Sequence, residues 1–267
     1  MDFKIIDAHL HFAKADYFDE IAIKAGHKNT PEHLRAFYEK LGIVRGVVMG
    51  NSIRLDECNY PDFLSYCVGL DTITDGNFSD KLSLVEEHLK RRECVGIKLY
   101  PGYRYFYIYD DSLAPLYKLA VKYDKPVAVH MGMTAMSSAL LKYSHPLVMD
   151  EAAVKFPEVQ FVMCHFGCPH FCDAAAVLEK NPNVAADLSG LIEGKISDFE
   201  IFREKAKFYI EQLRGWLSYP DSFERIMFGT DWPLANLEDY INFVKEVIPE
   251  SEYKKVFHDN AARIYFS

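Results

Sequence analysis

Lys4-Ile5-Ile6-Asp7-Ala8-His9-Leu10-His11 is a short apolar run that ends in an alternating pair of histidines. A strand sends every second side chain to the same side, so His9 and His11 are expected to point together off its end. Two convergent imidazoles begin a metal site, because neutral histidine nitrogen is a common ligand for zinc and other first-row metals. Alone, such a pair near a chain start is more simply a surface or core feature. Other apolar runs end the same way, however: Val127-Ala128-Val129-His130, Phe161-Val162-Met163-Cys164-His165 and Ile226-Met227-Phe228-Gly229-Thr230-Asp231.

Reading outward, apolar runs rich in β-branched residues predict strands over 4–6, 45–49, 65–70, 94–99, 126–130, 159–164, 183–188 and 225–229. Between them, helix-like patterns cover 31–41, 79–92, 112–123, 147–156, 171–180, 199–217 and 237–247, with a last segment near 250–264. Thr30-Pro31 and Asp111-Ser112 read as helix starts. Eight βα units in series predict a closed (β/α)8 TIM barrel, a single domain over residues 1–267. The placement of polar residues decides between this and an open sheet. His9, His11, Lys98, His130, His165 and Asp231 lie at or just past the ends of strands 1, 4, 5, 6 and 8. A closed barrel brings those ends to one rim, where active sites are built. An open sheet would separate strands 1 and 8 from the others.

At 267 residues, the length suits one barrel, which typically needs about 250. The net charge of −9 argues against a nucleic-acid-binding surface. Six cysteines, several inside apolar runs, do not read as a disulfide framework and suggest a reducing compartment. Met1 opens almost directly onto the first strand, leaving no room for a signal peptide. No apolar run approaches the ~20 residues of a membrane span. The expectation is a cytoplasmic protein with a small-molecule substrate and no nucleic-acid or membrane partner; monomer and homodimer both stay open. With 17 Tyr and 19 Phe, the chain has material for a large core or an aromatic-lined pocket.

Asp7-Ala8-His9-Leu10-His11, Gly96-Ile97-Lys98-Leu99-Tyr100-Pro101, the two His-ending strands and Gly229-Thr230-Asp231-Trp232-Pro233 together resemble the amidohydrolase superfamily. The likeness is greatest to its amidohydrolase-related branch, which includes aminocarboxymuconate-semialdehyde decarboxylase. The ending Asn260-Ala261-Ala262-Arg263-Ile264-Tyr265 also looks like that branch's last helix. The resemblance implies one divalent metal held by His9, His11, His130 and Asp231. Zinc is the usual occupant, and Mn2+ or Fe2+ would tolerate the same ligands. It also implies His165 as an acid/base or electrostatic support and Asp231 as a proton acceptor. Asp7 would support the site by hydrogen bonding. The chemistry implied is a metal-activated water whose pKa falls from about 16 toward neutrality.

Lys98 has two readings. In other amidohydrolase subtypes a carboxylated lysine at this place bridges two metals. In the branch resembled here the site is mononuclear, and an unmodified Lys98 would meet a substrate carboxylate or act as a structural charge. The mononuclear reading is the expectation. The run Tyr103-Arg104-Tyr105-Phe106-Tyr107-Ile108-Tyr109 belongs to a rim loop, either lining a substrate pocket with Arg104 binding an anion or pinned to the barrel. Cys164, Cys168 and Cys172 lack the short spacing of zinc motifs and read as packing residues. Asp187 and Ser189, after strand 7, either face the site or cap the next loop, and capping is the expectation. His27, His33, His88, His145 and His258 are expected to be solvated or structural. Three functions follow: hydrolysis of a small ester, amide or lactone bond; non-oxidative decarboxylation of an aromatic or unsaturated acid; or a catalytically silent metal-binding partner protein. Fold alone does not choose among them.

Overall fold

The computed structural model of the protein describes residues 3–13, 15–70, 78–220 and 222–267. Its strands are β1 (Ile5–Leu10), β2 (Ile43–Met49), β3 (Leu64–Leu70), β4 (Cys94–Leu99), β5 (Val127–Val129), β6 (Phe161–Met163), β7 (Val184–Asp187) and β8 (Ile226–Met227). The helices are α1 (Asp16–Lys24), α2 (Pro31–Leu41), α3 (Phe78–Leu89), α4 (Ala114–Lys122), α5 (Pro146–Lys155), α6 (Phe171–Lys180), α7 (Phe199–Lys205), α8 (Lys207–Leu217), α9 (Leu237–Val247) and α10 (Asn260–Phe266). The strands pair in sequence order, every pair parallel. Backbone bonds close the seam between the first and last strands: Ala8 N donates to Phe228 O at 2.9 Å, Asp231 N to His9 O at 2.8 Å and His11 N to Trp232 O at 2.7 Å. This is the TIM barrel expected from the sequence, with all eight strands where the apolar runs lie.

Two cores hold it. Side chains on the outer faces of the strands pack against the helices in one large apolar layer. Inside the barrel, Ile6, Val47, Cys67, Val95, Ala128, Val162, Ala185 and Met227 fill the lumen, and Ala261, Ile264 and Tyr265 of α10 pack against them. The lumen is therefore packed, leaving the opposite, C-terminal rim for chemistry. None of the described helices is long and apolar enough to cross a membrane.

The helix readings hold for α2, α6 and α9, whose bounds match the sequence patterns. Thr30 caps α2 by accepting from His33 N, and Asn236 caps α9 by accepting from Asp239 N. Three details differ from expectation. α1 was not anticipated, because most of its side chains face solvent and only Ala22 is buried, leaving no apolar stripe to read. The helix expected over 199–217 is two helices broken at Ala206 (φ −92°, ψ 7°). The last segment contains a π-helical stretch at Lys255–Asp259 before α10.

Strand β1 does not alternate evenly. Ile6 and Ala8 belong to the inner core, whereas Leu10 packs in the outer layer. The pairing of β1 with β2 shifts register between Asp7 and Leu10, the mark of a bulge. An extra residue at a bulge changes which side chains face inward, a device common beside active sites. The bulge is what turns His9 and His11 toward the barrel axis.

Asp7, fully buried, locks this region. Its Oδ1 accepts from Thr230 N (2.9 Å) and His9 N (3.3 Å), and its Oδ2 from Thr230 Oγ1 (2.6 Å) and Tyr38 OH (2.8 Å). Replacement by alanine would leave these donors without a buried acceptor. Asp7→Ala should therefore lower the unfolding free energy by about 3 kcal/mol, read from urea denaturation. A loss under about 1 kcal/mol would show that the seam does not depend on this carboxylate.

Candidate metal centre

The rim gathers the side chains that end β1, β5, β6 and β8. His9 Nε2 and His11 Nε2 lie 3.4 and 3.3 Å from the same atom, Asp231 Oδ1. His130 Nδ1 and His165 Nε2 face each other at 3.1 Å. The His9 ring centroid is 4.8 Å from that of His165 and 5.5 Å from that of His11. Asp231 and His165 both occupy left-handed backbone (φ 56° and 61°), which turns each side chain back over the barrel end. Gly190 (φ +63°) makes room for them: a Cβ there would stand 2.6 Å from Asp231 Oδ2 and 2.9 Å from His165 Nδ1.

The outer nitrogen of each ring decides what the inner one offers. His11 Nδ1 meets Met49 O at 3.2 Å, His130 Nε2 meets Met133 O at 2.9 Å, and His165 Nδ1 meets Ser189 O at 3.1 Å. A carbonyl oxygen only accepts, so each of these nitrogens carries a proton. His9 Nδ1 likewise donates to Asp187 Oδ2 at 2.9 Å. In the neutral rings the inward nitrogens of His9, His11, His130 and His165 therefore present lone pairs. His9 Nε2 and Asp231 Oδ1 are buried and have no hydrogen-bond partner among the described residues. Such orphaned acceptors are rare in folded proteins and point to an absent ion or proton. The donor set fits a divalent metal: imidazole nitrogens with a carboxylate suit zinc, manganese or iron.

Electrostatics favour one positive charge at this spot. Burial, reinforced by the His9 charge, pushes His11 and His165 well below the usual histidine range. Burial and the Lys98 charge bring His130 down to about 3. Burial would also lower His9, but the Asp187 carboxylate overrides it and raises His9. Burial alone would raise Asp187, whereas His9 and its donors hold it well below the usual carboxylate range. Asp231, mainly through burial, is raised. Two buried carboxylates on either side of His9 thus attract a cation, either a proton on His9 Nε2 or a metal in its place.

Above the histidines opens a cavity of about 530 Å³ whose walls include Tyr17, Phe18, Tyr100, Tyr103 and Arg104, with His11, His130, His165 and Asp231 at its base. The aromatic rim loop serves both purposes weighed from the sequence. Tyr103 packs edge-on against His130 at 5.0 Å between centroids, and exposed Arg104 faces the cavity. Phe106 and Ile108 are buried in the core and pin the loop.

Other expected residues sit differently. Lys98 is fully buried, with Nζ donating to Cys164 Sγ at 2.8 Å, so it lies beneath the histidines and not at the cavity wall. Asp7 supports His9 through the backbone N–H and touches no imidazole. Asp187 caps its loop, accepting from Ser189 N at 3.1 Å, and both residues also face the site. Asp187 bonds His9, and Ser189 Oγ lies 2.9 Å from His165 Nδ1. A carboxylate closing a parallel strand, in Asp187-Leu188-Ser189-Gly190, was the available signal, but nothing in the sequence pairs it with His9. Cys164 is buried, Cys168 half-buried against Tyr209 OH, and Cys172 exposed, so the three share no site. A second group, His145, His170 and Asp173, lies partly exposed at the starts of α5 and α6. There His145 Nδ1 accepts from Leu147 N, which leaves the proton on the nitrogen facing Asp173.

Comparison with known proteins agrees with this architecture. An uncharacterized TIM-barrel protein from Bordetella bronchiseptica shares 21% identity at a TM-score of 0.71, covering 98% of both chains. A structure described provisionally as a 2-pyrone-4,6-dicarboxylic acid hydrolase, from Pseudomonas putida, shares 15% at a TM-score of 0.63, over 99% of this chain and 98% of that one. A 2,6-dihydroxybenzoate decarboxylase shares 15% at 0.67, over 98% of this chain and 99% of that one. No curated protein matches the sequence. At such identities the solved structures show a common fold. The amidohydrolase family model goes further, matching residues 6–266, and this chain belongs to that family.

Proposed function

We propose that the chain is a metal-dependent hydrolase of a small anionic substrate, cleaving an ester, amide or lactone bond. The observation that carries this is the convergence of two buried acceptors with no hydrogen-bond partner among the described residues, His9 Nε2 and Asp231 Oδ1, where Asp231 lines the base of an open cavity. The family generally uses a divalent metal. His9, His11, His130 and Asp231 would hold one ion, with zinc the first expectation. When bound, the ion lowers the pKa of a water and polarises the attacked group.

The chain's own groups do the rest. Asp231 reaches toward His9 and His11 through Oδ1 and leaves Oδ2 on the His165 side, 3.9 Å from Nδ1. It takes up the proton released as water attacks. His165, held with its proton on Nδ1, turns the bare Nε2 to the reacting centre as a hydrogen-bond acceptor, and the proton that Asp231 takes up goes on to the leaving group. Arg104 is the cation placed to receive a substrate anion, and among the described residues no carboxylate pairs with it. Tyr17, Phe18, Tyr100 and Tyr103 supply flat apolar faces that exclude water. Those faces also favour a second reading, decarboxylation of an aromatic or unsaturated acid on the same groups. Supplying lactones and aromatic acids in parallel, and following acid production against CO₂ release, separates the two.

Protein purified without chelators should contain about one divalent ion per chain by elemental analysis. No ion, with no rise in melting temperature on adding zinc or manganese, would sink the reading. Two ions with a modified Lys98 would favour a binuclear site instead.

His165→Asn should cost at least about 10²-fold in turnover while metal content stays near that of the wild type. His130→Asn should lose metal and activity together. Equal metal loss in both would make His165 a ligand. Asp231→Asn keeps an oxygen for the ion but cannot accept a proton. It should retain metal at reduced affinity and lose at least about 10²-fold in turnover. Near-normal turnover would remove Asp231 from the chemistry.

A further inference from the structure

We propose that Asp187, at the end of β7, is a positioning residue that selects which nitrogen of His9 faces the cavity and anchors the His165 backbone with its other oxygen. The inference rests on the metal-site reading above. Asp187 is fully buried, and its two oxygens divide the work. Oδ2 takes the His9 Nδ1 proton at 2.9 Å. Oδ1 accepts from His165 N at 3.0 Å, Ser189 N at 3.1 Å and Ser189 Oγ at 2.5 Å. Three donors occupy Oδ1, and Oδ2 is turned to the outer nitrogen of His9, across the ring from the nitrogen that meets Asp231. Asp187 is thus satisfied by the protein's own donors, although it lies in the same cluster as His9 and His165. Its role is to orient.

An ionised carboxylate can only accept. Facing His9 Nδ1, it requires a proton to be there and leaves Nε2, 3.4 Å from Asp231 Oδ1, as the nitrogen open to a metal or to a second proton. Asparagine has the same shape but one oxygen fewer. Its carbonyl would keep the three donors around Oδ1, so the NH₂ would fall at the Oδ2 position. That N–H would donate to His9 Nδ1, forcing the ring proton onto Nε2, where a ligand needs its lone pair. Exchange of one atom would reverse the imidazole without changing the packing. Ser189→Ala is the complementary change: it removes one Oδ1 donor and leaves the Oδ2 contact with His9 intact.

The test uses zinc competition against a chelator, together with ¹⁵N–¹H histidine NMR on zinc-free full-length protein. Wild type should show a proton on His9 Nδ1, and Asp187→Asn should show it on Nε2 alone. Asp187→Asn should bind zinc at least about 10-fold more weakly, while Ser189→Ala should stay within about threefold of wild type. A His9 proton still on Nδ1 in Asp187→Asn, or equal zinc loss in Ser189→Ala, would overturn the proposal. So would a wild-type His9 with no proton on Nδ1, whatever the variants do. Wild type that binds no zinc would instead remove the metal-site reading, while the NMR result would still judge Asp187.

Discussion

One buried carboxylate, Asp7, joins the first strand of the barrel to the last by accepting from Thr230 through both backbone and hydroxyl and from Tyr38 of α2. Much else depends on that contact. The barrel closes only if β1 and β8 meet, and β8 is a two-residue strand with little ladder of its own. Asp7 supplies acceptors where the ladder is short. The same carboxylate takes the His9 N–H, so the bulge that turns His9 inward is tied to the seam. Closing the barrel and building the site are one event.

The site then accepts an electrostatic cost that an ordinary core avoids. Four histidines, two aspartates and a lysine lie within or just under the rim, all but His11 buried. Buried charges are tolerated when they are paired and hydrogen-bonded. Asp187 meets this condition with four donors. Asp231 does not, because its Oδ1 has two imidazole nitrogens nearby and no hydrogen bond. That difference separates the two carboxylates: one is structurally complete, and the other is complete only with a cation beside it.

Around this fixed base, the cavity wall comes from loops. Tyr103 and Arg104 follow β4, while Tyr17 and Phe18 begin α1. Phe106 and Ile108, sunk in the core, hold the β4 loop so that its neighbours can face the cavity. Rigid strands carry the reactive groups, and loops choose what reaches them, an arrangement that lets one barrel support many chemistries. The shared fold with both a hydrolase-described structure and a decarboxylase fits this division.

The eight strands were legible because parallel strands covered on both sides read as continuous apolar runs. Their order, the helix start at Thr30, and the histidines and aspartate that end strands were legible for the same local reason. α1 and the break at Ala206 were not, since a mostly exposed helix leaves no stripe and a break between two helical patterns leaves no proline or glycine. The direction of His9 was beyond a local reading as well. Strict alternation from Ile6 and Ala8 would face it outward, and only pairing with β2 creates the bulge that reverses it. Asp187 marks the other boundary. It stands 178 residues from His9, and a carboxylate that ends a strand looks the same whether it caps a loop or holds an imidazole. The sequence by itself determined which residues end the strands, because strand and turn preferences act over a few neighbours. Tertiary structure alone decided which of those residues meet and which nitrogen each ring presents, because closure of the barrel and the partner on each ring's far side are set by residues distant in the chain.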